Sequence, residues 1–209
     1  MILIEVFVYA GIIAASISGT LVGIQKKLDL FGVVFLAACT ALGGGLIRDI
    51  ILGQSVPNVF VKPQYFIVST VISILTWLFY QRTLQFQTTL ILTDAIGLGV
   101  FTAVGAYSAI DHGLKGAFLI VSMGLITGIG GGIMRDVFAR EIPLVFQKEI
   151  YAIAAIVGSV SILLTSEIFS KLSSLYICFV ITTLIRIIAV RYKVNFPIRN
   201  VNDKSFNME

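Results

Sequence analysis

The chain contains one unusual string twice. Gly-Gly-Gly-Leu-Ile-Arg-Asp occupies residues 43–49, and Gly-Gly-Gly-Ile-Met-Arg-Asp occupies residues 130–136. Each copy lies at the end of a long apolar stretch and is followed by a proline, Pro57 or Pro143, and a Val-Phe pair. Each glycine weakens a helix by about 1 kcal/mol relative to alanine, and each charge at mid-bilayer costs about 2.5–3.5 kcal/mol on insertion scales. A chain that carries this cost at two related positions is expected to use both strings.

The composition indicates a membrane protein made of helices. The 209 residues are 57% hydrophobic and 12% charged, with a mean hydropathy of +0.99, whereas soluble domains average about 25% charged residues. A spanning β-barrel would show alternating polarity in segments of about ten residues, and the chain does not. A spanning helix needs about 17–25 residues, so the third and sixth of seven apolar stretches must include flanking residues. The stretches are 2–24, 30–46, 65–80, 90–110, 117–134, 151–165 and 172–190.

The two halves of the chain align with each other. Gly11 and Gly97, like Gly19 and Gly105, are 86 residues apart, and the two glycine strings are 87 residues apart. This predicts three spans, three related spans and one extra span. Because three is odd, the second copy enters the membrane from the opposite side, which gives an inverted repeat. We expect a single transmembrane domain over 1–190, with repeats at about 2–80 and 88–165, an extra helix at 172–190, and a polar tail at 191–209.

The distribution of lysine and arginine predicts the orientation. Seven spans place ten of these residues on one side and four on the other, with Arg186 left out because it lies inside the last span. The side richer in positive charge is normally cytoplasmic. The chain is therefore predicted to be a multi-pass protein of the cell membrane with its amino terminus outside and its carboxyl terminus in the cytoplasm. The ten are Lys26, Lys27, Arg82, Arg135, Arg140, Lys148, Arg191, Lys193, Arg199 and Lys204; the four are Arg48, Lys62, Lys115 and Lys171.

The glycine triplets predict a break or kink in the second and fifth helices. A break frees backbone carbonyls, which need protein or water as partners and could coordinate a desolvated cation; the N–H groups after it could instead hold an anion. The alternative is that each triplet lets two helices touch or forms a tight turn. Ser18 and other hydroxyls within the spans are weaker candidates, since a hydroxyl can bond its own helix. The candidate ion-path residues are Gly43, Gly44, Gly45, Gly130, Gly131 and Gly132, with Thr40 and Thr127 one turn before the triplets.

Charged residues in the spans are candidates for pairs or a gate. Neighbouring residues on a helix do not face each other, so Arg48 is hypothesised to lie near Asp136, and Arg135 near Asp49. The alternative is that each Arg-Asp pair is an ordinary interfacial pair. Asp94 is a candidate mouth acid that attracts cations, or it lies at the interface.

Signals of enzymatic chemistry are absent from the sequence. The single histidine, His112, lies in a short loop, and no cluster of histidine, cysteine or carboxylate has metal-site spacing. No phosphate-binding loop is present. We therefore expect no enzyme, no catalytic residue, no cofactor and no metal. The net charge of +4 is interpreted as a topology signal, so no nucleic-acid partner is expected.

Two Gly-Gly-Gly-x-x-Arg-Asp motifs in a seven-span chain of this length resemble the prokaryotic branch of the trimeric intracellular cation (TRIC) channel family. The resemblance covers about residues 2–190. It implies two inverted three-helix repeats plus a seventh helix, three protomers around an axis, and a pore through each protomer with the kinked helices at its centre. It also implies passive permeation of potassium, with sodium as a second ion, and membrane lipids and further copies of the chain as partners. The Lys-Glu-Val string that animal members link to phosphoinositides does not occur here.

The predicted function is a passive, potassium-permeable cation channel with a pore through each protomer of a homotrimer. An alternating-access transporter of a small solute is the main alternative, since inverted repeats with broken helices suit it equally well. A non-transporting assembly or lipid-handling protein is the third, and its Arg-Asp pairs would be purely structural. The sequence does not separate the first two, because they differ in turnover rather than in motif.

Overall fold

The computed structural model describes residues 2–83, 86–147, 149–192 and 194, and this part of the chain is helical. Within these ranges, six helices are long and apolar enough to span a membrane, and a shorter apolar helix covers Ile150–Thr165. The prediction of an all-helical membrane protein is therefore confirmed. Lys148, Lys193 and most of the predicted tail lie outside the described residues. The helices are α1 (Ile2–Gln25), α2 (Leu30–Ile51), α3 (Asn58–Val61), α4 (Pro63–Thr83), α5 (Phe86–Asp111), α6 (Ala117–Phe138), α7 (Leu144–Gln147), α8 (Glu149–Thr165) and α9 (Lys171–Arg191).

Helices α2 and α6 run further than their apolar stretches predict. They continue to Ile51 and Phe138, so both Arg-Asp pairs lie inside helices. Both are α-helical throughout their glycine triplets. Of the predicted break or kink, the break is therefore wrong, because packing against neighbouring helices outweighs the low helix propensity of glycine. A kink at each triplet stays a prediction.

The core is built from small side chains around α5. This helix packs against α1, α6, α8 and α9, while α2 packs against α1, α4 and α6. Ala95, Ala103 and Ala106 of α5 are fully buried, which lets the helix backbones approach closely. Large apolar side chains such as Phe118 and Leu164 are exposed instead. The bundle thus presents an apolar outer surface of the kind that faces lipid.

Ion pairs show which loops share an end of the bundle. Glu5 at the start of α1 pairs with Lys62 before α4, and Asp111 at the end of α5 pairs with Lys171 at the start of α9. The first end of the bundle therefore gathers the start of α1, the connection after α2 and the loops before α6 and α9. At the second end, the α1–α2 loop meets the connection after α6 through an ion pair from Lys26 to Glu141.

The two halves share local backbone geometry where helices end. Lys27 and Gly113, which follow α1 and α5, have φ of 56° and 74°. Gly53 and Arg140, which follow α2 and α6, have φ of 71° and 55°. The members of each pair are 86 or 87 residues apart. Left-handed residues at these positions close helix carboxyl ends, so equivalent helices end in the same way.

Candidate functional site

Helices α2 and α6 cross at the glycine triplets with their backbones in contact. A β-carbon on Gly44 would lie 2.2 Å from the carbonyl oxygen of Thr127, and one on Gly131 would lie 2.0 Å from that of Thr40. No side chain fits at either position. The middle glycine of each triplet therefore lets α2 and α6 touch, as one of the two interpretations of the triplets predicts.

The other glycines of the triplets have different surroundings. Gly43 and Gly130 face the opposite helix, since a β-carbon on Gly130 would lie 3.0 Å from the α-carbon of Gly44. Gly45 and Gly132 instead line two separate cavities. Of the six triplet glycines, these two are the ones that line either of the two cavities.

The two threonines before the triplets are buried, with 5% of Thr40 and 1% of Thr127 exposed. Each hydroxyl donates a 2.6 Å hydrogen bond to the carbonyl four residues earlier. Each also fills space beside a glycine, since a β-carbon on Gly19 or Gly105 would lie 2.6 or 2.4 Å from the respective hydroxyl oxygen. Each hydroxyl proton is thus used in a hydrogen bond within its own helix, and each hydroxyl oxygen remains available as an acceptor.

Each arginine pairs with the aspartate of its own motif. Arg48 donates through Nε and Nη2 to Asp49 Oδ1, at 2.8 and 2.6 Å. Arg135 donates through Nε to Asp136 Oδ1 at 2.8 Å. The hypothesis of exchanged partners is therefore wrong, because a long arginine side chain can fold back to the next residue even though the two Cβ atoms diverge.

The second oxygen of each aspartate holds the chain that returns after the helix. Asp49 Oδ2 accepts from the backbone N–H of Asn58 at 2.8 Å, and Asp136 Oδ2 accepts from that of Leu144 at 2.9 Å. These N–H groups begin the short helices α3 and α7, where a negative charge is favourable. Each Arg-Asp pair therefore fixes a short helix beside the end of its long helix.

Arg135 is held much more firmly than Arg48. Its Nη1 also donates to Asp94 Oδ1 at 2.8 Å and to Ser18 Oγ at 2.6 Å. Only 1% of Arg135 is exposed, against 7% of Arg48, which lines the larger cavity. The halves align Asp94 with Val8 and Ser18 with Val104, and both valines line the cavity with Arg48. Polar partners in one half are thus replaced by apolar side chains in the other.

Asp94, the candidate mouth acid, lies inside the bundle and lines a cavity, so its role in attracting cations stays a prediction. Only 8% of the residue is exposed, because its carboxylate is held by Arg135. Its Oδ1 also accepts from the Tyr151 hydroxyl at 3.2 Å, and the Tyr151 ring lies 4.6 Å from the guanidinium carbon of Arg186.

Sequence reasoning missed Tyr151 and Arg186. The one available signal was a charged residue within the last apolar stretch.

Two cavities lie beside the helix crossing. The larger has a volume of about 250 Å³ and reaches the loops at the first end of the bundle. The smaller, of about 20 Å³, is lined by Thr40, Asp94, Gly132 and Tyr151 among others. Phe101 of α5 lines both cavities. This residue is thus shared by the linings of the two cavities.

Charges around the larger cavity are balanced. Partial burial alone would lower the pKa of Lys62. The neighbouring Tyr65 hydroxyl and Glu5 carboxylate together raise it by more than burial lowers it, so the pKa of Lys62 lies above its usual value. The ammonium group therefore stays charged. Each of three cations lining the cavity pairs with a lining carboxylate, in the pairs Arg48 with Asp49, Lys62 with Glu5, and Lys171 with Asp111. The cavity is polar without a net charge from these six groups.

Solved structures define the class of this fold. A TRIC cation channel studied for its conductance is 35% identical, with 94% of this chain and 97% of the other covered and a TM-score of 0.85. A prokaryotic TRIC channel crystallised in 0.5 M KCl is 36% identical, over 93% and 99% of the two chains, with a TM-score of 0.87. The Rhodobacter sphaeroides TRIC orthologue is 28% identical over 93% and 100%, also with a TM-score of 0.87. The resemblance drawn from the two motifs is confirmed, and these neighbours are ion channels, not enzymes.

Sequence relatives give the family. The family model described as "Glycine transporter" matches residues 5–81 and again 91–167, so the chain belongs to that family. A UPF0126 membrane protein of Deinococcus radiodurans is 36% identical, over 91% of this chain and 89% of its own. The UPF0126 inner membrane protein YadS of Escherichia coli is 38% identical, over 87% and 89%.

Proposed function

We propose that the protein is a passive channel for monovalent cations, permeable to potassium. The observation that carries this proposal is the match to TRIC cation channels at 35–36% identity over nearly the whole of each chain. A likeness of that extent, with TM-scores of 0.85 and 0.87, supports the arrangement of the helices and not merely their number.

The proposed path runs through each protomer along the two cavities. Ions enter the larger cavity, where balanced ion pairs neither repel nor trap them, and pass Phe101 to the smaller cavity. There the backbone at Gly132 and the hydroxyl oxygen of Thr40 replace part of the water around the ion. In the larger cavity, on the other side of Phe101, the backbone at Gly45 has the same role.

The wider architecture is part of the same proposal. Two inverted three-helix repeats, at about 2–80 and 88–165, are supported by the double match of the family model and by the paired left-handed residues. Helices α2 and α6 are proposed to bend at their triplets without breaking. The protomers form a homotrimer in the cell membrane, with the amino terminus outside and the carboxyl terminus in the cytoplasm, as the distribution of lysine and arginine predicts.

The two arginines have different proposed roles. Arg135 is a fixed part of the bundle, because two carboxylates and a hydroxyl hold it. Arg48 pairs with Asp49 alone among the described residues and borders the larger cavity. Movement of its guanidinium relative to Asp49 is proposed to gate the path, since an unpaired arginine repels cations.

Transport of glycine is the second candidate, favoured by the description of the family model. A cavity of about 250 Å³ lined by paired cations and carboxylates suits a small zwitterion as well as a passing cation. In this case Phe101 separates two access states rather than two parts of an open path. The two candidates use the same residues and differ in rate.

Recording from purified protein in a planar bilayer under a potassium chloride gradient tests the proposal. We expect unitary current steps that reverse near the potassium equilibrium potential. Radiolabelled glycine uptake into liposomes made from the same preparation is the parallel measurement. Silent bilayers together with saturable uptake would overturn the channel and favour the transporter.

A further inference from the structure

Arg186 is a buried cation within a spanning helix. It lies in α9, and only 6% of it is exposed. Among the described side chains, no carboxylate pairs with it and no atom accepts a hydrogen bond from its Nε. Arginine inside a membrane span is costly unless another group compensates its charge.

The ring of Tyr151 is the group that faces this cation. The ring centroid lies 4.6 Å from the guanidinium carbon of Arg186, a distance at which an aromatic face attracts a cation. The hydroxyl of the same ring donates to Asp94 at 3.2 Å. Tyr151 therefore connects Arg186 to the carboxylate that lines the smaller cavity.

The charge of Arg186 balances a cluster that is otherwise negative. Arg135 is shared between Asp94 and Asp136, each at 2.8 Å. These three residues carry one positive and two negative charges, and Arg186 makes the set neutral. In a medium of low dielectric constant this balance acts over the distance across the tyrosine ring.

We propose that Arg186 is a positioning residue that acts through Tyr151 as the counter-charge of Asp94, and so sets which sign of ion the smaller cavity accepts. The ion preference rests on the proposed channel function; the charge balance does not. Arg186→Gln leaves the set negative, Asp94→Asn leaves it positive, and the double variant makes it neutral again. Arg186→Lys keeps the charge.

Reversal potentials in a potassium chloride gradient test the ion preference. We expect Arg186→Gln to raise the potassium-over-chloride permeability ratio and Asp94→Asn to lower it, each by about fivefold or more. The double variant and Arg186→Lys should return close to the wild-type ratio. Arg191→Gln, which removes an exposed arginine from the same helix, should have no effect. Equal ratios in all variants would overturn the proposal.

Thermal unfolding of the same variants in detergent tests the charge balance without any current. Each single variant should lower the midpoint, and the double variant should lower it by less than the sum of the two. Additive losses would overturn the proposal. If the wild type conducts no ions while the unfolding data show rescue, the channel function fails and the charge balance stands.

Discussion

The α-carbon of Gly44 packs against the carbonyl oxygen of Thr127 so closely that a β-carbon at position 44 would lie 2.2 Å from that oxygen. A β-carbon on the neighbouring Gly45 would have Arg48 Nη2 as its nearest atom, at 3.8 Å. Substitution by alanine is therefore expected to have opposite effects on stability at these two adjacent glycines.

Gly44→Ala is expected to destabilise the protein by about 1–3 kcal/mol or more, because the clash is with backbone and the helices must separate. Gly45→Ala should fold at least as well as the wild type, since alanine favours a helix by about 1 kcal/mol. Unfolding in mixed micelles measures both. Gly45→Ala should nevertheless lower the unitary conductance, because its methyl group enters the larger cavity. Equal stability of the two variants would contradict the described crossing.

The difference between the two arginines gives a second prediction. Arg135→Ala leaves two buried carboxylates without their cation and is expected to cost about 3–5 kcal/mol. Arg48 borders a cavity that water can enter, so Arg48→Ala should lower the free energy of unfolding by less than Arg135→Ala does. It should change the open probability of the channel instead. Thermal unfolding followed by circular dichroism measures the loss of stability, and bilayer recording measures the open probability. An Arg48→Ala channel with wild-type gating would refute the gate.

The ring of Phe101 gives a third prediction. Phe101→Ala joins the two cavities and should raise the conductance, whereas Phe101→Leu keeps an apolar barrier of smaller size and should have a weaker effect. Phe118→Ala is the control, because its side chain is 81% exposed on the outer surface. Unitary conductance is the measurement. A current unchanged in Phe101→Ala would show that ions take another route.

The sequence predicted that the two halves are related because glycine and proline recur at the same positions in both. These residues have special backbone conformations, so their repeated spacing indicates a repeated local structure. The sequence also singled out the two triplets and the two Arg-Asp pairs, which lie in helix contacts and buried ion pairs in the structure. It did not predict that the helices stay intact, because a propensity of about 1 kcal/mol per glycine is small beside tertiary packing. The triplet alone does not say whether the freed space goes to a neighbouring helix or to an ion.

Side-chain partners were the part that spacing could not supply. The angle between neighbouring Cβ atoms argued that Arg135 and Asp136 point apart, yet the guanidinium reaches Asp136 and Asp94 at once. Several rotatable bonds let one arginine reach carboxylates on two helices. The contact with Asp94 joins α6 to α5, and no pattern within either helix encodes it.

The left-handed residues that end helices give a last prediction. Gly113 has φ of 74°, and a β-carbon added there would have no atom within 4 Å, so Gly113→Ala tests backbone strain alone and should cost about 1–2 kcal/mol. Lys27, its counterpart in the first half, already carries that strain at φ of 56°. Lys27→Gly should therefore stabilise the protein by about 0.5 kcal/mol, after the larger unfolded-state entropy of glycine is subtracted. Unfolding midpoints that move in opposite directions would support an equivalent helix ending in both halves, and a loss in both variants would contradict it.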